Sequence, residues 1–242
     1  MSTREAFLAN VRTAVAEGNR AGNIPSHPGR SKVGYQGAGD DPVSKFCTEF
    51  TLAGGFPFVA EDDDAAWRKI EEIIRRHNTK NIVIGVGEVM DRLIPAGRLS
   101  DLVGTSIVTC SDSGEGNPNT KTDKLINLSP RKADKETYFG SDLGISTVEH
   151  LIAETGTVVM ATRPDQPRSI SLLPPVHIAI ARRSQILPDL FDLFDLFSPT
   201  AETSSPPACL TLITGPSKTG DIELKLVTGV HGPGEVHVII VD

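Results

Sequence analysis

Apolar positions in this 242-residue chain change period along its length, and each change predicts an element. Residues 3 to 17 carry Phe7, Val11, Ala14 and Val15 at helical spacing, with Ser2 or Thr3 to cap the start and Gly18 to stop it. That is an amphipathic lead-in helix. Residues 18 to 41 are rich in Gly, Pro, Ser and Asn and hold too few apolar side chains to join a core, so they read as an extended arm. The pattern then predicts a helix around 42 to 53, a short strand over Phe56 to Ala60, and a helix from Asp63 to His77 with Trp67, Ile70, Ile73 and Ile74 on one face.

"NIVIGVG" (81 to 87) reads as a buried strand ending in a glycine turn, and "TSIVTC" (105 to 110) repeats the strand pattern before a polar loop from Ser111 to about Asp123. Further strands are expected at "HLIAE", "GTVVMAT", "VHIAIA" (176 to 181), "CLTLIT" (209 to 214) and "EVHVIIV" (235 to 241). Residues 176 to 181 and 236 to 241 are apolar on nearly every position, as strands covered on both faces should be. Between them, "SQILPDLFDLFDLF" (184 to 197) predicts a helix with Leu187, Leu190, Phe191, Phe194 and Phe197 as its stripe, and residues 198 to 207 a surface connection. Strands alternating with helices imply right-handed βαβ units. The expected fold is α/β, a mostly parallel sheet with helices on both faces, preceded by an N-terminal helix. Residues 1–41 form that helix and the arm, and residues 42–242 the α/β domain.

Composition narrows the function. The net charge is −7, and 24 Lys and Arg are scattered among 31 Asp and Glu without a basic tract, which argues against nucleic acid and anionic membrane as partners. The three cysteines, Cys47, Cys110 and Cys209, are too far apart for a C-x-x-C metal or cluster motif, and their odd number argues against a disulfide framework. A reducing, cytoplasmic setting is expected. No stretch approaches the ~20 apolar residues of a membrane span, and the first residues lack the apolar run of a signal peptide.

Four stretches could carry chemistry. "TGPSKTGDIE" (214 to 223) opens like a phosphate-binding loop, with Gly215 and Gly220 enclosing Ser217, Lys218 and Thr219, but Asp221 and Ile222 stand where a triphosphatase needs Lys and then Ser or Thr. Ile222, Leu226 and Val230 predict a helix after it, so the turn is either a self-capped helix start or a cradle for one carboxylate or phosphate. In "AETGTVVM", Glu154 is placed at the end of an apolar run beside Gly156. It is a nucleophile, a general base, or a cap for Thr155 and Thr157. In "SLLPPVHIAI", His177 is a core histidine or a catalyst, and in "GVHGPGEVH", His231 occupies a glycine–proline turn. The spacing of His177, His231 and His237 fits no zinc pattern, so no metal site is expected. "GVGE" (85 to 88) is a glycine turn of low specificity.

Taken together and in order, "IAETGTVV", "SLLPPVHIAI", "LITGPSKTGDIE" and "GVHGPGEVHVIIVD" closely resemble the lactate utilization protein C family, also called the LUD domain. The resemblance implies the fold of ribose-5-phosphate isomerase, glucosamine-6-phosphate deaminase and coenzyme A transferases. It implies a subunit of a system that oxidises L-lactate to pyruvate, whose partners, lactate utilization proteins A and B, carry the iron–sulfur clusters, with no cofactor in this chain. Glu154, His177 and His231 become the catalytic candidates. Thr155, Gly156, Thr157, Gly215, Ser217, Lys218 and Thr219 become the binding candidates for a small carboxylate or phosphate. Glu154, His177, Lys218, Thr219 and His231 are expected to converge at the carboxyl ends of the central strands. In a second reading, "ETG" is similar to the Glu-x-Gly turn of coenzyme A transferases. Glu154 would then form an acyl adduct in a free-standing transferase.

Overall fold

Carboxylate caps start the helices that frame the first strand. Asp41 accepts from the amides of Val43 and Ser44 at the head of α2 (Pro42–Leu52), and Asp62 accepts from Ala65 at the head of α3 (Asp63–Arg76). In α3, Asp63 and Asp64 fill the first turn and Arg75 and Arg76 the last, which opposes the helix dipole at both ends. Its stripe of Ala66, Ile70, Ile73 and Ile74 is buried as the spacing predicts.

The computed structural model describes residues 3–18, 37–94, 98, 106–110, 125–128, 138–163, 166–196, 207, 209–220 and 226–242. It divides into two units, Met1–Tyr35 and Gln36–Asp242. In the first unit, helix α1 (Arg4–Gly18) begins where Thr3 accepts from the amide of Ala6, and its apolar side chains Phe7, Val11 and Val15 are exposed. Most of the expected arm, the 111–123 loop and most of the 198–207 connection lie outside the described residues.

The second unit is built on seven parallel strands in the order β1-β13-β8-β5-β2-β3-β4. These are β1 (Phe56–Val59), β2 (Asn81–Ile84), β3 (Ser106–Cys110), β4 (Leu125–Leu128), β5 (Leu143–Thr147), β8 (Val176–Arg182) and β13 (Glu235–Val241). One face carries α3 and α4 (Glu88–Leu93), packed over Ile82, Ile84, Ile145, Ile178 and Ile239. The α/β fold with a mostly parallel central sheet is therefore present. The opposite face holds α2 and α5 (Ser169–Leu172), together with a second sheet that the sequence pattern does not disclose.

That sheet has the order β10-β7-β6-β9, from β6 (His150–Ile152), β7 (Thr157–Ala161), β9 (Ile186–Leu187) and β10 (Leu210–Ile213). Three of its strands are antiparallel neighbours, β6 with β7 and β7 with β10, so the expected parallel placement of these runs is corrected. Its inner face adds Leu151, Val158 and Met160 to a core with Phe46, Phe50, Ala179, Ala181 and Val238. Ala179 and Ala181 are the β8 side chains on this face, buried among residues of α2 and the second sheet.

Two further differences have local causes. The central strand β5 escapes the pattern because "LGIST" has Gly, Ser and Thr where apolar residues are expected. Gly144 is needed there, since a Cβ would lie 2.0 Å from the carbonyl oxygen of Ile170 on α5. The predicted 184–197 helix is shorter. A 3-10 turn (Arg183–Gln185) and β9 precede α6 (Leu190–Asp195), because Gln185 accepts from the amide of Arg182 and buried Asp189 caps Phe191 and Asp192.

Candidate functional site

The stretch 214 to 223 does not open a helix. Lys218–Gly220 forms β11, paired antiparallel with β12 (Leu226–Thr228), so the expected helix start is a hairpin; Asp221 lies outside the described residues. The cause is the company the turn keeps. Gly215 has φ +81°, and a Cβ there would stand 2.6 Å from the carbonyl oxygen of Ala53 at the end of α2. Lys218 donates from Nζ to the same oxygen, at 2.5 Å. Ser217 is held through its backbone, its amide donating to Pro233 and its carbonyl accepting from Gly229, and Thr219 is half-buried in the hairpin.

The "ETG" turn meets the same helix. Residues Ala153 to Gly156 form the β6–β7 turn in the second sheet, so Glu154 is not at the carboxyl end of a central strand. Its amide donates to the carbonyl of Pro188 and its side chain is half-exposed. Gly156 has φ +61°, and a Cβ would lie 2.3 Å from the amide nitrogen of Phe50. Beside it the hydroxyls of Thr155, Thr157 and Thr214 form a chain with 2.7 Å between each pair. The candidates Gly156, Gly215 and Lys218 thus gather on one feature, the last turn of α2.

His177 is the second residue of β8 and is completely buried. Its Nε2 lies 2.9 Å from Ser146 Oγ on β5, while Ser146 can donate onward to Met160 Sδ at 3.9 Å. Burial, reinforced by His237, pushes its pKa down to about 3. His231 is exposed on the turn before β13. Both histidines lie toward the amino ends of their parallel strands, not the carboxyl ends expected. They share an end of the sheet, but one faces the core and the other solvent.

The carboxyl ends hold groups that sequence reasoning passed over. From β2 the chain proceeds outward to β3 and β4, whereas β5, β8 and β13 lie on the other side of β2. The order therefore reverses between β2 and β5, where open α/β sheets leave a ligand crevice outside the strand ends. Gly85, Gly87 and Glu88 follow β2 there, and Thr147 closes β5. Buried Gln166 ties the two together. It donates from Nε2 to the Thr147 carbonyl at 2.8 Å, accepts at Oε1 from Thr147 Oγ1 at 2.6 Å, and lies against Gly85. Arg182, ending β8, donates to Glu88 at 2.8 Å and holds that carboxyl below its usual range. The only sequence signal was "GVGE" itself, read as an ordinary turn.

At the amino end, on the α3 face, a second polar group forms. His77 caps the end of α3, and Glu235 and His237 alternate onto one face of β13. Glu235 Oε1 lies 2.6 Å from His237 Nε2 and 3.2 Å from His77 Nε2, and it pairs with Arg76. Burial keeps His237 below the ordinary imidazole value although Glu235 pulls it upward. Phe56 stacks on the His237 ring at 5.0 Å, and beside it opens a cavity of about 350 Å³ lined by Thr51, Phe56, Phe58, Lys69, Arg76 and His237.

The fold is thus of the α/β class, a parallel sheet whose strand order reverses between β2 and β5. The LUD domain family matches residues 43–241, and this chain belongs to that family. Lactate utilization protein C of Halalkalibacterium halodurans is 39% identical over 99% of this chain and 97% of that protein. The proteins of the same name from Macrococcus caseolyticus and Bacillus licheniformis are 42% and 39% identical, each over 42% of this chain. Those alignments span 45% and 43% of the two relatives, under half of their length. A solved structure of a DUF162 family protein from Deinococcus radiodurans is 21% identical, covering 83% of this chain and 96% of that one with a TM-score of 0.49. Among the described residues no helix is long and apolar enough to cross a membrane.

Proposed function

We propose that this protein serves L-lactate utilization, as a component that acts with iron–sulfur partner proteins of the lactate utilization A and B kinds in oxidising L-lactate to pyruvate. The observation that carries this reading is the 39% identity to a lactate utilization protein C along nearly the whole of both chains. In the same reading the chain itself binds a small carboxylate at the β2/β5 crevice. Gln166 and Thr147 shape the floor there, and Arg182 brings a cation to the rim. In this reading electron transfer belongs to the partners.

Reconstitution tests it. The two partner proteins are mixed with L-lactate and a redox dye, with this chain, without it, or with its Gln166→Ala variant. Dye reduction should need the wild-type chain and fall at least about tenfold with the variant, which loses both hydrogen bonds that fix Thr147 at the end of β5. Equal rates with and without the chain would overturn the role in oxidation. Equal rates with wild type and variant would overturn the crevice alone.

A further inference from the structure

Three side chains converge on one carboxylate oxygen. Glu235 Oε1 lies 2.6 Å from His237 Nε2 and 3.2 Å from His77 Nε2, and Arg76 Nη2 donates to it. Arg76 Nη2 also lies 3.4 Å from His237 Nε2 and 3.3 Å from His77 Nε2. With no metal bound, both imidazoles donate an N–H to the carboxylate and the guanidinium supplies a positive charge between them. With both Nε2 atoms deprotonated, two imidazole lone pairs and a carboxylate oxygen would face the place the guanidinium fills, a donor set for a cation.

We infer that His77, Glu235 and His237 form a binding site for a divalent transition metal, zinc above all, and that Arg76 holds the place of the ion until it binds. The three donor atoms lie within 4.8 Å of one another. Zinc bonds of about 2.0–2.2 Å to nitrogen and oxygen at tetrahedral angles put neighbouring donors roughly 3.3 Å apart, so modest side-chain adjustment suffices. Two imidazoles and one carboxylate are a donor set zinc prefers, and the set leaves a fourth position for water or a ligand. That position has room, because the cavity beside Arg76 and His237 adjoins the site. The ligands are anchored on rigid elements, His77 at the helix end and the other two on β13, with the His237 ring held against Phe56. Arg76 is 45% exposed, so its guanidinium can swing into solvent when a dication arrives. The spacing rules for zinc could not find this set, since His77 is 158 residues from Glu235.

The test is a titration of the metal-stripped full chain with zinc chloride, followed by calorimetry and by metal analysis after desalting. Cobalt chloride serves as the spectroscopic probe. The wild type should retain one equivalent of zinc, and cobalt should give the intense visible bands of a four-coordinate site. His77→Ala, at a half-exposed position that spares the core, should weaken binding at least about tenfold, and Glu235→Gln likewise. Arg76→Met should strengthen it, because the competing cation is gone. That increase separates a metal site from an ion-pair cluster, which the same change would only loosen. Failure of the wild type to retain stoichiometric zinc, or affinity unchanged by His77→Ala, overturns the inference.

Discussion

Lys218 Nζ donates to the carbonyl oxygen of Ala53, the residue that closes α2, so a lysine that resembled a phosphate ligand caps a helix. A cation at a helix C-terminus lies against the negative end of the dipole and satisfies a carbonyl the helix leaves free. Lys218→Ala should therefore cost stability, by ~0.3–1 kcal/mol for this exposed group. Urea denaturation of both proteins measures it. Identical midpoints would show that the contact contributes nothing to folding.

Gly156 carries a larger share of the same docking. Its φ of +61° disfavours any side chain, and a Cβ would stand 2.3 Å from a backbone atom of α2 that cannot rotate away. Gly156→Ala should destabilise by ~3 kcal/mol or more, the sum of left-handed strain and a displaced helix. Gly220 is the control, since a Cβ there meets nothing within 4 Å. Thermal melts should separate the two alanine variants clearly, and equal losses would remove Gly156 from this role.

Much of this architecture is readable from residue pattern. The stripe of α3 and the apolar runs of β8 and β13 announce themselves because burial selects Ile, Val and Ala at regular spacing. The second sheet does not, because "HLI" and "TVVMA" would look the same in a parallel sheet; partner choice is set by long-range packing that no short window contains. The same limit hid the site groups. Gln166 matters through a hydrogen bond to a strand end 19 residues away, and glycines at 156 and 215 signal tight approach without saying whether helix or ligand is the neighbour.

His177 should make the fold acid-sensitive. Its folded pKa of about 3 lies below the ordinary 6.5, so the unfolded chain takes up a proton that the native core refuses. The stability this neutral histidine contributes is fully present above about pH 6.5 and is lost as pH falls toward 3, at up to ~1.4 kcal/mol per pH unit. Denaturant midpoints of the wild type and His177→Gln, compared at neutral pH and near pH 5, isolate the effect from the carboxylates both proteins share. The variant should lose less on acidification. Parallel losses would mean that His177 does not supply the proton linkage.

Ser146 is the polar partner of that histidine, and its removal predicts a different signature. His177 Nε2 lies 2.9 Å from Ser146 Oγ, and its Nδ1 has no hydrogen-bond partner among the described residues. Ser146→Ala thus leaves a fully buried imidazole with neither nitrogen paired, at a cost of ~1–3 kcal/mol for the orphaned group. The double change Ser146→Ala with His177→Leu removes both polar partners and should recover much of that loss, because apolar groups in this core need no hydrogen bond. A double-mutant cycle measured by urea unfolding reads the coupling directly. Strong coupling with preserved lactate-dependent dye reduction would place the pair in the scaffold. A collapse of that reaction in Ser146→Ala, with stability unchanged, would instead return His177 to the chemistry.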